Sequence, residues 1–118
     1  MPTMNNVQLL GKVTIAPKQR QLKNGSRVAE LGMGIPESYK NEKGEWTSRM
    51  HFVDVVLWDQ QAVYAGDNLR KGDGALIQGT LQFDQWENKE GEKRSKLRVK
   101  GLRIQSIQLP APQKKPSS

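Results

Sequence analysis

Hydrophobic and polar residues alternate in five segments of this chain. A period of two is typical of a β-strand, because successive side chains point to opposite faces of the sheet. The alternation predicts strands over residues 7–15, 27–35, 50–58, 75–86 and 93–109. In the last of these the phase changes between Val99 and Leu102, and Gly101 lies at the change. A glycine at such a position predicts a β-bulge.

The segment between the third and fourth strands has helical spacing instead. Apolar residues recur there at intervals that fit a short helix over residues 60–70. Asp59 is the expected N-cap, and the Lys71-Gly72 pair is expected to end the helix.

Proline and glycine mark the predicted loops. Residues 16–25 end in the turn-forming pair Asn24-Gly25, and residues 37–48 follow Pro36, which is expected to close the second strand. The last segment, residues 110–118, has three prolines, two lysines and no bulky apolar residue, so it is predicted to be disordered.

The order of the predicted elements is strand, strand, strand, helix, strand, strand. This order indicates an all-β fold with one short helix, namely a five-stranded OB-fold Greek-key barrel with the helix between strands 3 and 4. We expect one OB-fold domain over residues 1–109 and a disordered Pro/Lys tail over residues 110–118.

Composition points to a polyanionic partner. The 118 residues carry a formal net charge of +7 and a sequence pI near 9.9. Nucleic acid is favoured over anionic lipid because no basic amphipathic helix is visible, although basic charge alone also serves solubility. No membrane span, signal peptide or cysteine is found, which fits a reducing compartment, so a cytoplasmic location is expected.

The sequence contains few residues that could form a catalytic site. The single histidine, His51, falls on the inward register of its strand, where an inward or interface role is expected rather than a catalytic base. Only Asp54 and Asp84 place carboxylates within strands, and neither a glycine-rich phosphate loop nor a histidine pair for a metal occurs. We therefore predict a protein that is not an enzyme and uses no metal or cofactor.

Three aromatic residues fall on the face of the third and fourth predicted strands that is expected to be exposed to solvent. Phe52, Trp58 and Trp86 share the register of polar neighbours, whereas Tyr64 and Phe83 are expected in the core. Exposed rings on a basic protein favour stacking with the bases of a single-stranded nucleic acid. Alternatively, the two tryptophans pack against a partner subunit and Phe52 fills space between barrel layers.

Two further aromatic residues lie in a predicted loop. Tyr39 and Trp46 are stacking candidates as well, although Trp46 would serve equally to pin its loop onto the barrel.

Basic residues are unevenly distributed. Six of them and no acid lie between Lys93 and Arg103, which is more than a merely solvated face needs. Lysine on a strand also prevents edge-to-edge aggregation, and this alternative stays open. The phosphate-binding candidates are Arg20, Lys23, Lys40, Lys43, Arg49, Arg70, Lys71, Arg94, Lys96 and Arg98, with Lys100 on the same strand face.

Eight short motifs occur in order from about residue 5 to 109. They are Asn5-Asn6-Val7 through Gly11, Asn24-Gly25, Glu37-Ser38-Tyr39-Lys40, Lys43-Gly44-Glu45-Trp46, Phe52-Val53-Asp54-Val55-Val56-Leu57-Trp58, Leu69-Arg70-Lys71-Gly72, Gly79-Thr80-Leu81 and Trp86 followed by Glu87 and Gly91. With these motifs the chain resembles the bacterial-type single-stranded DNA-binding proteins. The resemblance implies a homotetramer of OB-folds that wraps single-stranded DNA with little sequence preference during replication, recombination and repair. It also implies a bacterial, nucleoid-associated protein, and an organelle or mobile-element origin stays open.

The resemblance also implies roles for individual residues. Aromatic residues at the positions of Tyr39, Phe52, Trp58 and Trp86 stack on bases in that family, and loop cations together with Arg70, Lys71 and Arg94 meet phosphates.

The chain departs from the family in three places. Val53-Asp54 replaces a common His-Arg pair, and Gln82, Asp84 and Gln85 occupy usually basic positions. The family's acidic tail tip, which recruits replication and repair proteins, is replaced by the basic residues 113–118. The chain is thus a truncated or divergent member, or it lacks that role; the nearest rival is a primosomal-type OB protein acting as a partner-interaction subunit.

Overall fold

The chain forms five long strands and one short helix in the computed structural model, which describes residues 1–108. The elements are β1 (Val7–Gln21), β2 (Arg27–Lys40), β3 (Trp46–Trp58), α1 (Asp59–Asn68), β4 (Gly74–Glu87) and β5 (Lys93–Ile107). The strands close into a barrel in the order β1-β2-β3-β5-β4. The predicted OB-fold barrel, with its helix between the third and fourth strands, is confirmed. The predicted tail over residues 110–118 lies outside the described residues.

A short parallel contact closes the barrel. β3 meets β5 only where Val55, Val56 and Leu57 pair with the segment 99–101, whereas all other neighbouring strands are antiparallel. Consequently the β2–β3 and β4–β5 hairpins both extend beyond the closed part of the barrel as free two-stranded ribbons.

The core lies inside the barrel and beneath α1. The inward positions predicted on β2, Ala29, Leu31 and Met33, are buried. They pack in one cluster with inward residues of the other four strands. Ala62 and Ala65 of α1, together with Leu69 directly after the helix, cover this cluster. Apolar burial of this kind is the main force that holds a small barrel together.

The strands are longer than their sequence pattern predicted. β1 continues through the expected loop to Gln21, and β2 passes Pro36 and runs to Lys40. The prediction that Pro36 ends β2 was wrong. Beyond Gly34 the strand β2 has only β3 as a neighbour, so the missing N–H of the proline is not needed by a second strand.

The ends of α1 also differ from the prediction. The N-cap position is Trp58, and Asp59 adopts a positive φ of 50° while its carboxylate accepts a hydrogen bond of 3.2 Å from the backbone N–H of Arg27. The helix ends at Asn68, before the Lys71-Gly72 pair. Gly72 instead donates its N–H to the carbonyl oxygen of Val13 at 2.8 Å, so this turn ties the helix to β1.

Two residues expected to point into the core are exposed. His51 lies on the inward register of β3 and Phe83 on that of β4, but both lie in the hairpin ribbons outside the closed part of the barrel. Phe83 is 59% exposed. The prediction that Phe83 lies in the core was wrong, and so was the inward alternative for His51, because a register fixes the face of a strand and not what covers that face. The interface alternative for His51 stays a prediction.

The bulge predicted at Gly101 is present. Gly79 pairs with Gly101 and Gln78 with Arg103, so Leu102 is the additional residue on β5. Tyr64 packs against the core, as expected for a helix residue on that side.

Candidate nucleic-acid interface

The outward face of β3 carries three large aromatic residues. Trp46, Phe52 and Trp58 occupy even positions of the strand, opposite the buried odd positions Val55 and Leu57. Their exposed fractions are 71%, 74% and 37%. Side chains that differ by an even number of residues point to one side of a strand, so the three rings share one face.

Trp86 joins this face from the β4–β5 hairpin. Its ring is 43% exposed, and the guanidinium carbon of Arg98 lies 5.8 Å from the ring centroid. The same Arg98 extends to Glu30 on β2, with 3.6 Å between Nη1 and Oε1. Trp86 therefore borders the outward surface of β2 and β3. We call the surface of Trp46, Phe52, Trp58 and Trp86 the aromatic face.

Tyr39 lies on the opposite face of the β2–β3 hairpin. It pairs with Thr47 on the inward register, and the guanidinium carbon of Arg49 lies 4.6 Å from its ring centroid. Arg49 Nε donates a 2.7 Å hydrogen bond to Glu37, and His51 Nε2 lies 3.3 Å from the same carboxylate. The Arg49 hydrogen bond, followed by that of His51, lowers the pKa of the Glu37 carboxyl. Tyr39 and Arg49 are thus separated from the aromatic face.

Four candidate phosphate-binding residues near the aromatic face are paired with acids. Arg20 contacts Glu30 at 3.3 Å, Arg94 contacts Glu92 at 3.3 Å, and Lys96 forms an ion pair with Asp54. Arg98 lies 3.6 Å from Glu30 and 3.6 Å from Asp84. The acidic partners of Lys96 and Arg98 lie on three different strands. These ion pairs therefore could not be predicted from the sequence.

The other candidate cations lie in turns. Lys23 lies in the β1–β2 turn, Lys40 and Lys43 at the end of the β2–β3 hairpin, and Arg70 and Lys71 between α1 and β4. Within residues 1–108 none of these five forms an ion pair. Lys40 Nζ lies 5.4 Å from the centroid of the Trp46 ring, which joins one basic turn to the aromatic face.

Two glycines on the outward face of β2 make room for neighbouring side chains. A Cβ on Gly34 would lie 2.7 Å from the sulfur of Met50, and one on Gly32 would lie 3.1 Å from the side chain of Ile15. Gly32 and Ile15 also line a depression of about 210 Å³ together with Asp54, Lys96 and Arg98. This depression is smaller than a typical enclosed ligand pocket.

Metal-ligand groups and membrane-spanning helices are both absent from the described residues. No group of three His, Asp or Glu side chains within residues 1–108 is placed to hold a metal ion. The ten residues of α1, the one helix of that segment, are too few and too polar to cross a membrane.

A closed five-stranded barrel with exposed aromatic and basic side chains on one face belongs to the class of OB-fold binding proteins. Residues 4–107 match the Single-strand binding protein family. The chain belongs to this family, and the resemblance stated from its motifs is confirmed.

Relatives of known name agree with this assignment. The chain is 35% identical over 104 residues to a single-stranded DNA-binding protein of Deinococcus radiodurans, which covers 88% of this chain and 34% of the relative. It is 37% identical over 102 residues to that of Thermus aquaticus, covering 86% of this chain and 37% of the relative. The chain therefore spans only about a third of the length of these relatives.

Two solved structures share the fold. A deletion variant of the Thermus aquaticus single-stranded DNA-binding protein matches with a TM-score of 0.78 and 30% identity, over 89% of this chain and 51% of that one. A Plasmodium falciparum single-strand binding protein, solved in complex with single-stranded DNA, matches with a TM-score of 0.80 and 23% identity, over 93% of this chain and 98% of that one. At that identity the second likeness supports the fold alone.

Proposed function

We propose that the protein binds single-stranded DNA with little sequence preference and protects it during replication, recombination and repair. The observation that carries the proposal is the aromatic face, on which all three tryptophans of the chain and Phe52 are exposed. Each stacked base contributes about 1–3 kcal/mol, and the interaction tolerates any base because every base has a π-face.

The cations complement the stacking surface in this proposal. Lys40 lies beside Trp46 with Lys43 in the adjoining turn, and Arg94 pairs across the hairpin with Trp86, so phosphates on either side of stacked bases would meet positive charge. The backbone of the nucleic acid carries one charge per nucleotide, and contacts of this kind add affinity without adding sequence preference. In this account the protein acts by binding and performs no reaction.

We further propose that the protein acts as a homo-oligomer, with a tetramer expected. Leu10 on β1 and Leu76 on β4 pair directly across the sheet on its outward face, and both are exposed. Exposed apolar side chains at adjacent positions favour contact with another protein surface. Native mass spectrometry would measure the assembly. The proposed place of action is the bacterial cytoplasm and nucleoid, in line with the bacterial relatives.

Titration with oligo(dT) should quench the tryptophan fluorescence of the protein. The quenching is expected because Trp46, Trp58 and Trp86 all lie on the aromatic face, where a stacked base contacts the indole directly. A fluorescence titration at fixed salt measures both the quenching and the affinity. An unchanged emission spectrum, together with co-purification of a replication protein, would instead support the role of a partner-interaction subunit.

The affinity for oligo(dT) should fall steeply as the salt concentration rises. Each phosphate neutralised on a single strand contributes about −0.7 to the slope of log K against log salt. Three or more contacts with the cations of the turns would therefore give a slope of about −2 or steeper. A slope near zero would contradict the proposed phosphate contacts.

A further inference from the structure

Acidic and basic side chains from four strands meet on the outward surface of the barrel. The residues are Glu30 on β2, Asp54 on β3, Asp84 on β4, and Lys96 and Arg98 on β5, and we call them the charge cluster. Lys96 is paired with Asp54, and Arg98 lies between Glu30 and Asp84. Glu30 is also contacted by Arg20 of β1 at 3.3 Å, so the three carboxylates of the cluster are balanced by its two cations together with Arg20.

The charge cluster lies between the rings of the aromatic face. Asp54 is two residues from Phe52 on the same side of β3, and Arg98 lies over Trp86. Asp84 and Lys96 are direct cross-strand partners on the Trp86 hairpin. A nucleic acid strand that stacks on both Phe52 and Trp86 therefore passes over the cluster.

The two cations are held in different ways. Lys96 and Asp54 are in direct contact. Arg98 makes neither of its carboxylate contacts at hydrogen-bond distance, and its buried Nε has no hydrogen-bond partner within the described residues. The acid oxygen nearest to this Nε is Oδ2 of Asp84, at 3.6 Å, and Nη1 lies as far from Glu30, so the guanidinium is held more loosely than the Lys96 ammonium. Arg98 thus keeps donor capacity, whereas Lys96 gains a phosphate only by leaving Asp54.

Phosphate and carboxylate compete for the same donors in this arrangement. Both are oxyanions that accept charge-assisted hydrogen bonds from lysine and arginine. Partly exposed ion pairs are weak, so a phosphate can displace the carboxylate. The displaced carboxylate then remains close to the phosphate, and the repulsion between these like charges lowers the affinity.

We propose that Asp54, Glu30 and Asp84 compete with DNA phosphates for Lys96 and Arg98 and thereby limit the affinity of the aromatic face for single-stranded DNA. The inference rests on the proposed function. It adds that acidic side chains limit the affinity for single-stranded DNA. Asp54 is the strongest competitor because its pair with Lys96 is the closest. Phosphates of the bound strand are consequently held mainly by the cations of the turns, at the two sides of the cluster.

The test compares two substitutions that change the net charge equally. Asp54→Asn removes the acid of the charge cluster, whereas Asp67→Asn removes an exposed acid of α1 that forms no ion pair within residues 1–108. Oligo(dT) affinity of the full chain is measured by fluorescence titration over a range of salt concentrations. Asp54→Asn should bind about two- to fivefold more tightly than Asp67→Asn, as expected for one partly exposed ion pair. Its salt slope should steepen by about 0.7, the value of one added phosphate contact.

A double substitution tests whether the effect passes through Lys96. In a Lys96→Met background, Asp54→Asn should no longer steepen the salt slope, because the cation that would gain the phosphate contact is absent; relief of the repulsion between Asp54 and the phosphate would still raise the affinity. Equal affinities of Asp54→Asn and Asp67→Asn, or an undiminished steepening of the salt slope in the Lys96→Met background, would overturn the inference. A wild-type protein that does not bind oligo(dT) would instead overturn the proposed function, so the two failures are distinguishable.

Discussion

A Trp86→Ala variant should bind oligo(dT) about five- to 150-fold more weakly than the wild-type protein, which is the loss expected for one stacked base. Trp86 is exposed and lies at the boundary between the β4–β5 hairpin and the outward surface of β2 and β3. Its replacement removes a stacking surface and also the ring beside the Arg98 guanidinium. A fluorescence-anisotropy titration with labelled oligo(dT) measures the change without relying on tryptophan emission.

Phe83→Ala is the matched control for this experiment. Phe83 is an exposed aromatic residue on the same strand, but it lies on the opposite register and therefore on the other face of the hairpin. Its removal should leave the affinity for oligo(dT) within about twofold of wild type, since surface substitutions away from a site have small effects. Equal losses in the two variants would contradict the assignment of the aromatic face.

The barrel and the aromatic face could be predicted because both depend on the period-two pattern of single strands. Leu31, Met33 and Val55 alternate with outward residues whatever their neighbours are, and a ring out of that register, such as Trp58, is visible in the sequence. The pattern did not show how far along each strand the barrel stays closed. For this reason Phe83 was predicted in the core, although the barrel has ended where it lies.

The charge cluster could not be predicted for a related reason. Glu30, Asp54 and Arg98 are far apart in the sequence and meet only because β3 lies between β2 and β5. Counting charge along the chain found an excess of cations on β5 but not the acids that face them. Contacts between distant segments depend on the strand order, and the strand order is a property of the whole fold.

The family resemblance groups Tyr39 with the base-stacking residues, whereas this fold places Tyr39 on a different face from them. Its position matches a stacking position of the family, yet in this chain it shares the inward register with Thr47 and contacts Arg49. Trp46, seven positions along the hairpin, lies on the aromatic face instead. A role for Tyr39 in binding stays a prediction, and it would require a strand that wraps around the hairpin rather than along one side.

A Gly79→Ala substitution should lower the free energy of unfolding by about 2 kcal/mol, a typical cost of overpacking a buried site. Gly79 is buried where β4 meets the bulge of β5, and a Cβ there would lie 2.9 Å from the carbonyl carbon of Lys100 and 3.1 Å from the Cα of Gly101. These are backbone atoms and cannot rotate away, so the two strands must separate. The melting temperature should fall by about 10 °C, measured at one fixed protein concentration because an oligomer is expected.

Gly66→Ala separates this steric effect from the general effect of replacing glycine. The three atoms nearest to a Cβ on Gly66 all belong to the Gln19 side chain, which is flexible and can move aside. Gly66 lies inside α1, where alanine is favoured over glycine by about 1 kcal/mol, so this variant should melt at or above the wild-type temperature. If Gly79→Ala melted like Gly66→Ala, the pairing of Gly79 with Gly101 would be contradicted. The hairpin that carries Trp86 and Arg98 depends on that pairing, so the same pair of variants tests the framework on which the aromatic face is built.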